Sequence, residues 1–266
     1  MLKVEHIFKT FNAGTVNEKL ALNDLSLHLK DGDFCTVIGS NGAGKSTMLN
    51  AVAGVWPVDS GTISVDGTDI TRLPEHKRAK YIGRVFQDPM TGTAATMQID
   101  ENLALAKRRG QARTLRPGIT KAERAEYYEL LKKLDLGLED RMTSKVGLLS
   151  GGQRQAVTLL MASLTRPKLL LLDEHTAALD PATAEKVLAL TEKIVAENHL
   201  TCMMVTHNMK NALELGNRTL MMDHGHIIFD KEGSERAGLT VADLMEQFRI
   251  ASGKALDNDR MLLGND

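Results

Sequence analysis

At residues 39–47 the sequence reads Gly39-Ser40-Asn41-Gly42-Ala43-Gly44-Lys45-Ser46-Thr47, which matches the phosphate-binding pattern G-x-x-x-x-G-K-[ST]. An apolar run over 34–38 predicts a buried strand before it, and residues 48–52 predict a helix after it. Glycines in this setting let backbone N–H groups surround phosphate oxygens, and the helix N-terminus adds partial positive charge. We interpret Lys45 as the bridge between the β and γ phosphates of ATP, and Ser46 as a hydroxyl ligand of Mg²⁺.

A pair of acidic residues, Asp173-Glu174, directly follows the four leucines 169–172. The leucines predict a buried strand, so the two carboxylates should lie at the carboxyl edge of a parallel sheet, where ligands of open α/β folds bind. In phosphate-binding-loop enzymes such an aspartate holds Mg²⁺, and the following glutamate accepts a proton from the attacking water. Without Lys45, a simple cap on the next helix would be the better explanation of the pair.

Hydrophobic periodicity alternates between strand and helix along the chain. Strands are predicted over 2–11, 20–29, 34–38, 169–172 and 203–205. Asp66-Gly67 predicts the turn of a hairpin, and Asp180-Pro181 opens a helix that runs toward Asn198. Alternating strands and helices predict an α/β fold with a parallel sheet, and antiparallel strands flank the first motif.

The segment from about 97 to 166 has a helical pattern. Thr120 and Glu123 form a capping box that opens one helix, whose apolar face includes Tyr127 and Leu131. Gly137 is predicted to end this helix, because glycine is the usual residue just after a helix C-terminus.

Composition and charge limit the possible partners and compartments of the protein. The formal net charge of −1 gives no support to a nucleic-acid partner. Cys35 and Cys202 lie in runs that predict buried strands, and two unpaired thiols fit a reducing cytosol. Neither a signal peptide nor a stretch of about 18 to 20 apolar residues is present, so we expect any membrane role to be exercised from the surface.

A second candidate phosphate contact is Leu149-Ser150-Gly151-Gly152-Gln153, which opens another helical run. A capping box accounts for Ser150 and Gln153 but not for two adjacent glycines in a first helical turn. Glycines there suit a backbone that closely approaches an anion. Because one P-loop already serves one nucleotide, we interpret this segment as a contact to the nucleotide of a partner subunit.

The three motifs occur in the order and approximate spacing of ABC-transporter ATPases, and the chain resembles that family to about residue 235. The resemblance implies a P-loop NTPase (RecA-like) core with an antiparallel β subdomain and an inserted α-helical subdomain at about 90–165. One ATPase domain would span 1–250, followed by a short polar tail over 251–266. In the family, the Ser-Gly-Gly segment faces the γ-phosphate bound by the opposite subunit of a head-to-tail dimer.

Further roles follow only from the resemblance. Gln87 resembles the glutamine that senses Mg²⁺ and the attacking water, and His207 resembles the switch histidine that contacts the γ-phosphate. Asp180 resembles the loop residue at the dimer seam, although it also reads as a plain helix cap, and Phe11 fits the aromatic residue that stacks on adenine. His175 stands where many members have proline, either as a simple substitution or as a modifier of a neighbouring pKa.

The resemblance also implies partners. These are a second ATPase subunit, which forms a homodimer, membrane permease subunits and, indirectly, a solute-binding protein, with the chain peripheral on the cytoplasmic face of the inner membrane. The cluster Lys107-Arg108-Arg109, with Arg113 and Arg116, lies where such permeases dock, but it reads equally well as a solvated loop.

The stretches 174–180 and 208–212 resemble importer ATPases for amino-acid-like solutes. The alternative is a soluble ABC ATPase with a non-membrane partner, such as a DNA-repair or ribosome-associated assembly. The chain contains one cassette and no sustained heptads between its P-loop and Ser150, which favours the transporter.

Overall fold

The computed structural model describes residues 1–111 and 117–252, with only the backbone of 251 and 252. Its strands are β1 (Leu2–Phe11), β2 (Lys19–Leu29), β3 (Phe34–Gly39), β4 (Ser60–Val65), β5 (Thr68–Asp69), β6 (Ile82–Val85), β7 (Leu169–Asp173), β8 (Thr201–Val205), β9 (Arg218–Asp223) and β10 (His226–Glu232). Its helices are α1 (Lys45–Ala53), α2 (Glu75–Arg78), α3 (Ile99–Lys107), α4 (Lys121–Lys132), α5 (Gly151–Ser163), α6 (Pro181–Glu197), α7 (Met209–Glu214), α8 (Gly233–Ala237) and α9 (Val241–Ser252).

A six-stranded sheet in the order β10-β9-β3-β8-β7-β6 forms the centre of the molecule. Neighbouring strands from β9 to β6 run parallel, and β10 pairs antiparallel with β9. Parallel strands end at the same edge, so the chain leaves β3, β6, β7 and β8 on one side of the sheet. The P-loop, Gln87, the acidic pair and His207 therefore follow strand ends along one edge.

A second, antiparallel sheet has the order β2-β1-β4-β5, and the predicted turn at Asp66-Gly67 joins its last two strands. Leucine, valine and isoleucine side chains of this sheet pack with α1 and one face of the central sheet in a single buried cluster. A different cluster on the opposite face joins β7 and β8 to α5 and α6. The predicted α/β class, with antiparallel strands beside the first motif, is confirmed.

Helices α3, α4 and α5 share a third cluster that includes Tyr127 and Leu131 of α4. The subdomain boundaries at about 90 and 165 stay a prediction. Within residues 1–111 and 117–252, no helix is both long enough and apolar enough to cross a membrane.

The predicted end of α4 at Gly137 is wrong. The capping box of Thr120 and Glu123 opens the helix as expected, but the last helical residue is Lys132. Asp135 takes the left-handed conformation with φ of 54°, and its N–H is bonded to the carbonyl of Lys132. Aspartate tolerates this conformation better than most residues, so the helix reverses before it reaches the glycine.

Cys35 and Cys202 are fully buried in β3 and β8, as predicted, and belong to clusters on opposite faces of the sheet. Both thiols are free, and burial raises the pKa of each. Helix α9 continues to Ser252, so the first residues of the predicted tail are helical. The rest of the tail lies outside the described residues.

Candidate active site

The N-terminus of α1 is prepared for an anion. It carries no side-chain cap and no acidic residue in its first turn, whereas α5 and α6 are capped by Ser150 and Asp180. Gly44 precedes α1 with φ of 104°, and a Cβ there would lie 2.6 Å from the carbonyl oxygen of Ala21. Glycine is therefore required at this position. The first N–H groups of α1 remain available to a bound phosphate.

Lys45 is the first residue of α1 and is only 5% exposed. Its Nζ donates to the carbonyl oxygens of Gly39 and Ser40 at 2.7 and 3.0 Å. Burial lowers the pKa of Lys45, and the negative charges of Glu174 and Asp173 oppose that shift. The ammonium thus lies inside the P-loop and faces both carboxylates of the acidic pair.

A closed polar ring surrounds the candidate metal ligands. The Ser46 hydroxyl donates to Asp173 Oδ1 at 3.3 Å, and Asp173 Oδ2 lies 3.7 Å from Arg84 Nη2. The same Nη2 donates to Asn50 Oδ1 at 2.7 Å, and Asn50 Nδ2 donates to the Ser46 carbonyl at 2.7 Å. Burial raises the pKa of Asp173, and Arg84 opposes that rise. A hydroxyl and a carboxylate side by side form a donor set suited to Mg²⁺.

Arg84 and Asn50 were missed in the sequence. One signal was present for Arg84, because an arginine between the buried residues Gly83 and Val85 of a strand needs a charged partner. Nothing local pointed to Asn50, whose contact with Arg84 spans 34 positions of the chain.

Glu174 and His207 meet after the ends of β7 and β8. Glu174 Oε1 lies 2.5 Å from His207 Nε2, and the Glu174 N–H donates to the carbonyl of Val205 at 3.1 Å. Glu174 has φ of 46°, a left-handed conformation that few non-glycine residues adopt. Strained residues of this kind concentrate at active sites.

His175, the departure from the family pattern, points away from the pocket. Its ring is buried, and Nε2 lies 3.0 Å from the Thr191 hydroxyl, which donates its own hydrogen to the carbonyl of Val187. Nε2 must therefore carry the proton that is donated to Thr191. Burial lowers the pKa of His175 from 6.5 to about 4. A neutral ring at physiological pH leaves it no charge with which to modify its neighbours.

A pocket of about 190 Å³ lies over the P-loop. It is lined by Phe11, Lys19, Ala21, Asn41, Gly42, Ala43, Gly44, Lys45, Ser46, Thr47, Glu174 and His207. The structure thus brings Phe11, the P-loop, the candidate base Glu174 and the candidate switch histidine His207 together. Lys19 and Ala21 of β2 are additional lining residues that no sequence motif had indicated. Gln87 is exposed just beyond β6, outside the pocket lining.

A larger cleft, of about 460 Å³, lies between the central sheet and α3 and α5. Arg84, Phe86, Leu105, Arg109 and Met161 are among its lining residues. Size does not identify the reaction site here, because none of the P-loop residues 39–47 lines this cleft. The smaller pocket, where the phosphate-binding loop meets Glu174 of the acidic pair, is therefore the candidate site.

The Ser150–Gln153 segment forms a separate, exposed surface with the start of α6. Ser150 and Gln153 make both bonds of the predicted capping box, and Asp180 accepts from the Thr183 N–H at 3.1 Å. A Cβ on Gly152 would lie 2.1 Å from Thr183 Cγ2. Close packing against α6 is thus a structural reason for glycine at position 152. The sequence argument considered only the approach of an anion.

Most of the basic cluster is paired within the chain. Lys107 bonds to Glu126, Arg108 lies 3.1 Å from Glu123, and Arg109 donates to the carbonyl of Ala162 at 3.0 Å. Arg113 and Arg116 lie outside the described residues.

A phosphate-binding loop between a parallel strand and a helix, with an acidic pair at the end of a nearby strand, defines a P-loop nucleoside triphosphatase. Within that class, the profile of the family described as "ABC transporter" matches residues 22–177. The chain belongs to the ABC transporter family, and it is an ATP-binding and ATP-hydrolysing subunit.

Individual relatives agree with this assignment. A tyrosine transport ATP-binding protein of Clostridioides difficile is 44% identical over 252 residues, which cover 94% of this chain and 100% of that protein. The methionine import ATP-binding protein MetN of Corynebacterium efficiens is 35% identical over 228 residues, which cover 84% of this chain. The chain spans 60% of the length of that MetN.

Solved structures show the same fold. A dimeric ATP-binding cassette in a post-hydrolysis state with ADP and Pi matches with a TM-score of 0.75 and 29% identity, over 87% of this chain and 98% of that one. An ABC transporter cassette in its ADP conformation matches with a TM-score of 0.77 and 27% identity, over 96% and 99% of the two chains.

Proposed function

We propose that Glu174 is the general base that activates water against the γ-phosphate of ATP. The observation that carries this assignment is the meeting of Glu174 and His207, 2.5 Å apart, in the pocket that also contains Lys45. In this arrangement residues 40–47 surround the phosphates, Lys45 neutralises the β and γ oxygens, and Glu174 accepts the proton of the water. His207 contacts the γ-phosphate and orients Glu174.

Mg²⁺ is the metal that the donor set fits. Ser46 and Asp173 would hold it, with Gln87, just beyond the end of β6, as a further candidate ligand. When bound, Mg²⁺ neutralises charge on the phosphate oxygens. Arg84 and Asn50 fix the Asp173 carboxylate beside Ser46, so the ligands are positioned by the protein itself.

A second copy of the chain completes each site. The pocket of a subunit is not lined by the residues predicted to contact a second nucleotide, which are Ser150, Gly151, Gly152, Gln153 and Asp180. Ser150 and Asp180 are exposed. All of these residues contact the ATP that is held by the P-loop of the partner. The dimeric cassette among the structural neighbours supports this arrangement.

The transporter imports an amino-acid-like solute. Support comes from the relatives named for tyrosine transport and methionine import, the first of which matches along its whole length. Permease subunits in the membrane form the path for the solute, a solute-binding protein delivers it, and the chain acts at the cytoplasmic face.

Reconstitution tests the transport assignment. The tagged chain should be purified from detergent-solubilised membranes together with its membrane subunits. The complex should then be incorporated into liposomes, with ATP inside, on the cassette side, and the solute-binding protein and solute outside. We expect ATP-dependent uptake of labelled tyrosine or methionine, no uptake of maltose, and loss of uptake with Glu174→Gln. Recovery of the chain with nucleic acid or ribosomes, and with no membrane subunit, would contradict the assignment.

A further inference from the structure

Trp56 is the only tryptophan of the chain, and it contacts the aromatic residue at the mouth of the nucleotide pocket. The ring centroids of Trp56 and Phe11 are 4.9 Å apart, with an angle of 82° between the planes. Edge-to-face contact of this kind is a favoured geometry for an aromatic pair. Because the planes are nearly perpendicular, the indole supports the Phe11 ring without stacking face to face on it.

Trp56 is tied by its backbone to the helix that begins at the P-loop. The carbonyl of Asn50, in α1, accepts N–H groups from Gly54, Val55 and Trp56 at 3.0, 2.9 and 3.4 Å. Helix α1 therefore carries the phosphate site at its N-terminus and Trp56 just past its C-terminus. One rigid element fixes the spacing between them.

The same loop also holds the end of β1 that presents Phe11. Asp59 accepts from the Thr10 N–H at 2.6 Å and from Lys9 Nζ at 3.1 Å, and its own N–H donates to the carbonyl of Phe8 at 2.8 Å. Lys9 Nζ lies 5.5 Å from the Phe11 ring centroid. Phe11 is thus supported by Trp56 on one element and by Lys9 on its own strand.

We propose that Trp56 is a positioning residue for the nucleobase of ATP, which holds the Phe11 ring in the orientation that accepts the base. The inference rests on the proposed function, in which ATP occupies this pocket, and on the role of Phe11 in stacking on adenine that the family resemblance implies. Stacking of a base on an aromatic ring contributes more to binding when the ring is already held in place, because a side chain that is ordered only on binding loses rotamer freedom at that step.

The test compares a ligand that has a base with one that lacks it. Dissociation constants for ATP and for inorganic tripolyphosphate should be measured by calorimetry with Mg²⁺ for the wild type, Trp56→Leu, Trp56→Phe and Phe11→Ala. We expect Trp56→Leu to weaken ATP binding by roughly two- to tenfold, the strength of an aromatic pair, with tripolyphosphate binding unchanged. Trp56→Phe should bind ATP nearly as tightly as the wild type, because an aromatic ring still supports Phe11. Val55→Ala, the matched control in the same loop, should leave ATP binding unchanged.

A double variant separates positioning from a general structural effect. If Trp56 acts through Phe11, adding Trp56→Leu to Phe11→Ala should not weaken ATP binding further. Trp56 emission should change on addition of ATP but not of tripolyphosphate, and the change should disappear in Phe11→Ala.

Three outcomes would overturn the proposal. Equal weakening of ATP and tripolyphosphate binding by Trp56→Leu would show that Trp56 merely supports the fold. Additive effects of the two variants would show that it does not act through Phe11. If Phe11→Ala leaves the ratio of ATP to tripolyphosphate affinity unchanged, Phe11 does not bind the base. This outcome would contradict the proposed nucleotide site itself and not only the role of Trp56.

Discussion

The residue that follows the candidate base is the clearest case of a side chain whose role is structural. His175 donates through Nε2 to Thr191 of α6, so the turn after Glu174 is anchored to a helix on the far side of β7. Burial, rather than this bond, keeps the ring neutral, because an imidazolium could also donate through Nε2. Glu174, held at φ of 46° immediately before it, keeps its carboxylate in the pocket while the histidine turns into the core.

Stability should depend on pH through His175. Its pKa is about 4 in the folded protein and 6.5 when unfolded, so the unfolded chain binds more protons between these values. The free energy of unfolding should therefore fall as pH drops from 6.5 to 4, by roughly 3 kcal/mol from this residue. Urea titrations across that range should show the fall in the wild type and a shallower one in His175→Gln. His76→Gln, at an exposed histidine, controls for the loss of one imidazole, and a pH slope unaffected by His175→Gln would contradict the account.

Sequence could identify the site residues that lie in local motifs. Lys45, Ser46, Asp173 and Glu174 are recognised because a short pattern fixes both the chemistry and the strand that precedes it. His207 and Gln87 were found only through the resemblance, since a single histidine or glutamine carries no pattern. Arg84 was not found, because its partners Asn50 and Asp173 are brought to it by the pairing of distant strands.

At the scale of elements, the start of α5 packs on the start of α6. Gly152→Ala would place a Cβ 2.1 Å from Thr183 Cγ2. Alanine favours a helix by up to about 1 kcal/mol, but overpacking of this severity should cost roughly 1 to 3 kcal/mol, so we expect a net loss of unfolding free energy. Denaturant titration should show the loss in Gly152→Ala. Thr183→Ser should restore stability in the double variant, because it removes the clashing methyl group.

The matched control for that prediction is Gly238→Ala, where a new Cβ meets no atom within 4 Å and the backbone needs no left-handed conformation. Stability of Gly152→Ala equal to that of the control would show that α5 and α6 are not packed as described.

Helix α7 begins two residues after His207, and the carbonyl groups at its C-terminal end accept hydrogen bonds from one arginine side chain. Arg236 donates to the carbonyl oxygens of Ala212, Leu213, Leu215 and Gly216. Arg236→Met should lower the free energy of unfolding by roughly 2 to 3 kcal/mol, because these bonds to a charged donor are lost together. Arg236→Lys should recover only part of it, since one ammonium cannot reproduce a planar fork. Full recovery with lysine, measured by thermal or urea unfolding, would contradict this description.

Elements were predicted more reliably than their ends. Strands β1, β2 and β7 could be predicted because the spacing of apolar residues in a strand follows directly from which of its faces are buried. One buried face gives the alternation in β1 and β2, and two buried faces give the leucine run of β7. The end of α4 could not be predicted in this way, because Asp135 and Gly137 both adopt a left-handed backbone, with φ of 54° and 64°, and the local pattern does not show which of them lies nearer to the end of the helix.

At the scale of the whole molecule, the P-loop pocket and the exposed Ser150 surface are separate. This separation supports the proposal that each chain contributes its P-loop to one ATP site of a dimer and its Ser150 surface to the other. Ser150→Arg should leave ATP affinity of the monomer nearly unchanged, because Ser150 does not line the pocket of its own subunit. ATP hydrolysis should nevertheless be suppressed, since the bulky cation would obstruct the partner's nucleotide. Calorimetry and steady-state turnover measure the two quantities separately. Hydrolysis at the wild-type rate would refute the shared site.

ATP turnover by Glu174→Gln tests the hydrolytic assignment most directly. The substitution keeps the side-chain volume and removes the carboxylate proposed to accept the proton of the water. We expect turnover at saturating Mg-ATP to fall by roughly 10²- to 10⁴-fold, with ATP affinity retained, because the substitution leaves the proposed contacts of Lys45 with phosphate and of Ser46 with Mg²⁺ untouched. Glu185→Gln, at an exposed acid of α6, should hydrolyse ATP at the wild-type rate. Undiminished turnover in Glu174→Gln would contradict the account and exclude Glu174 as the general base.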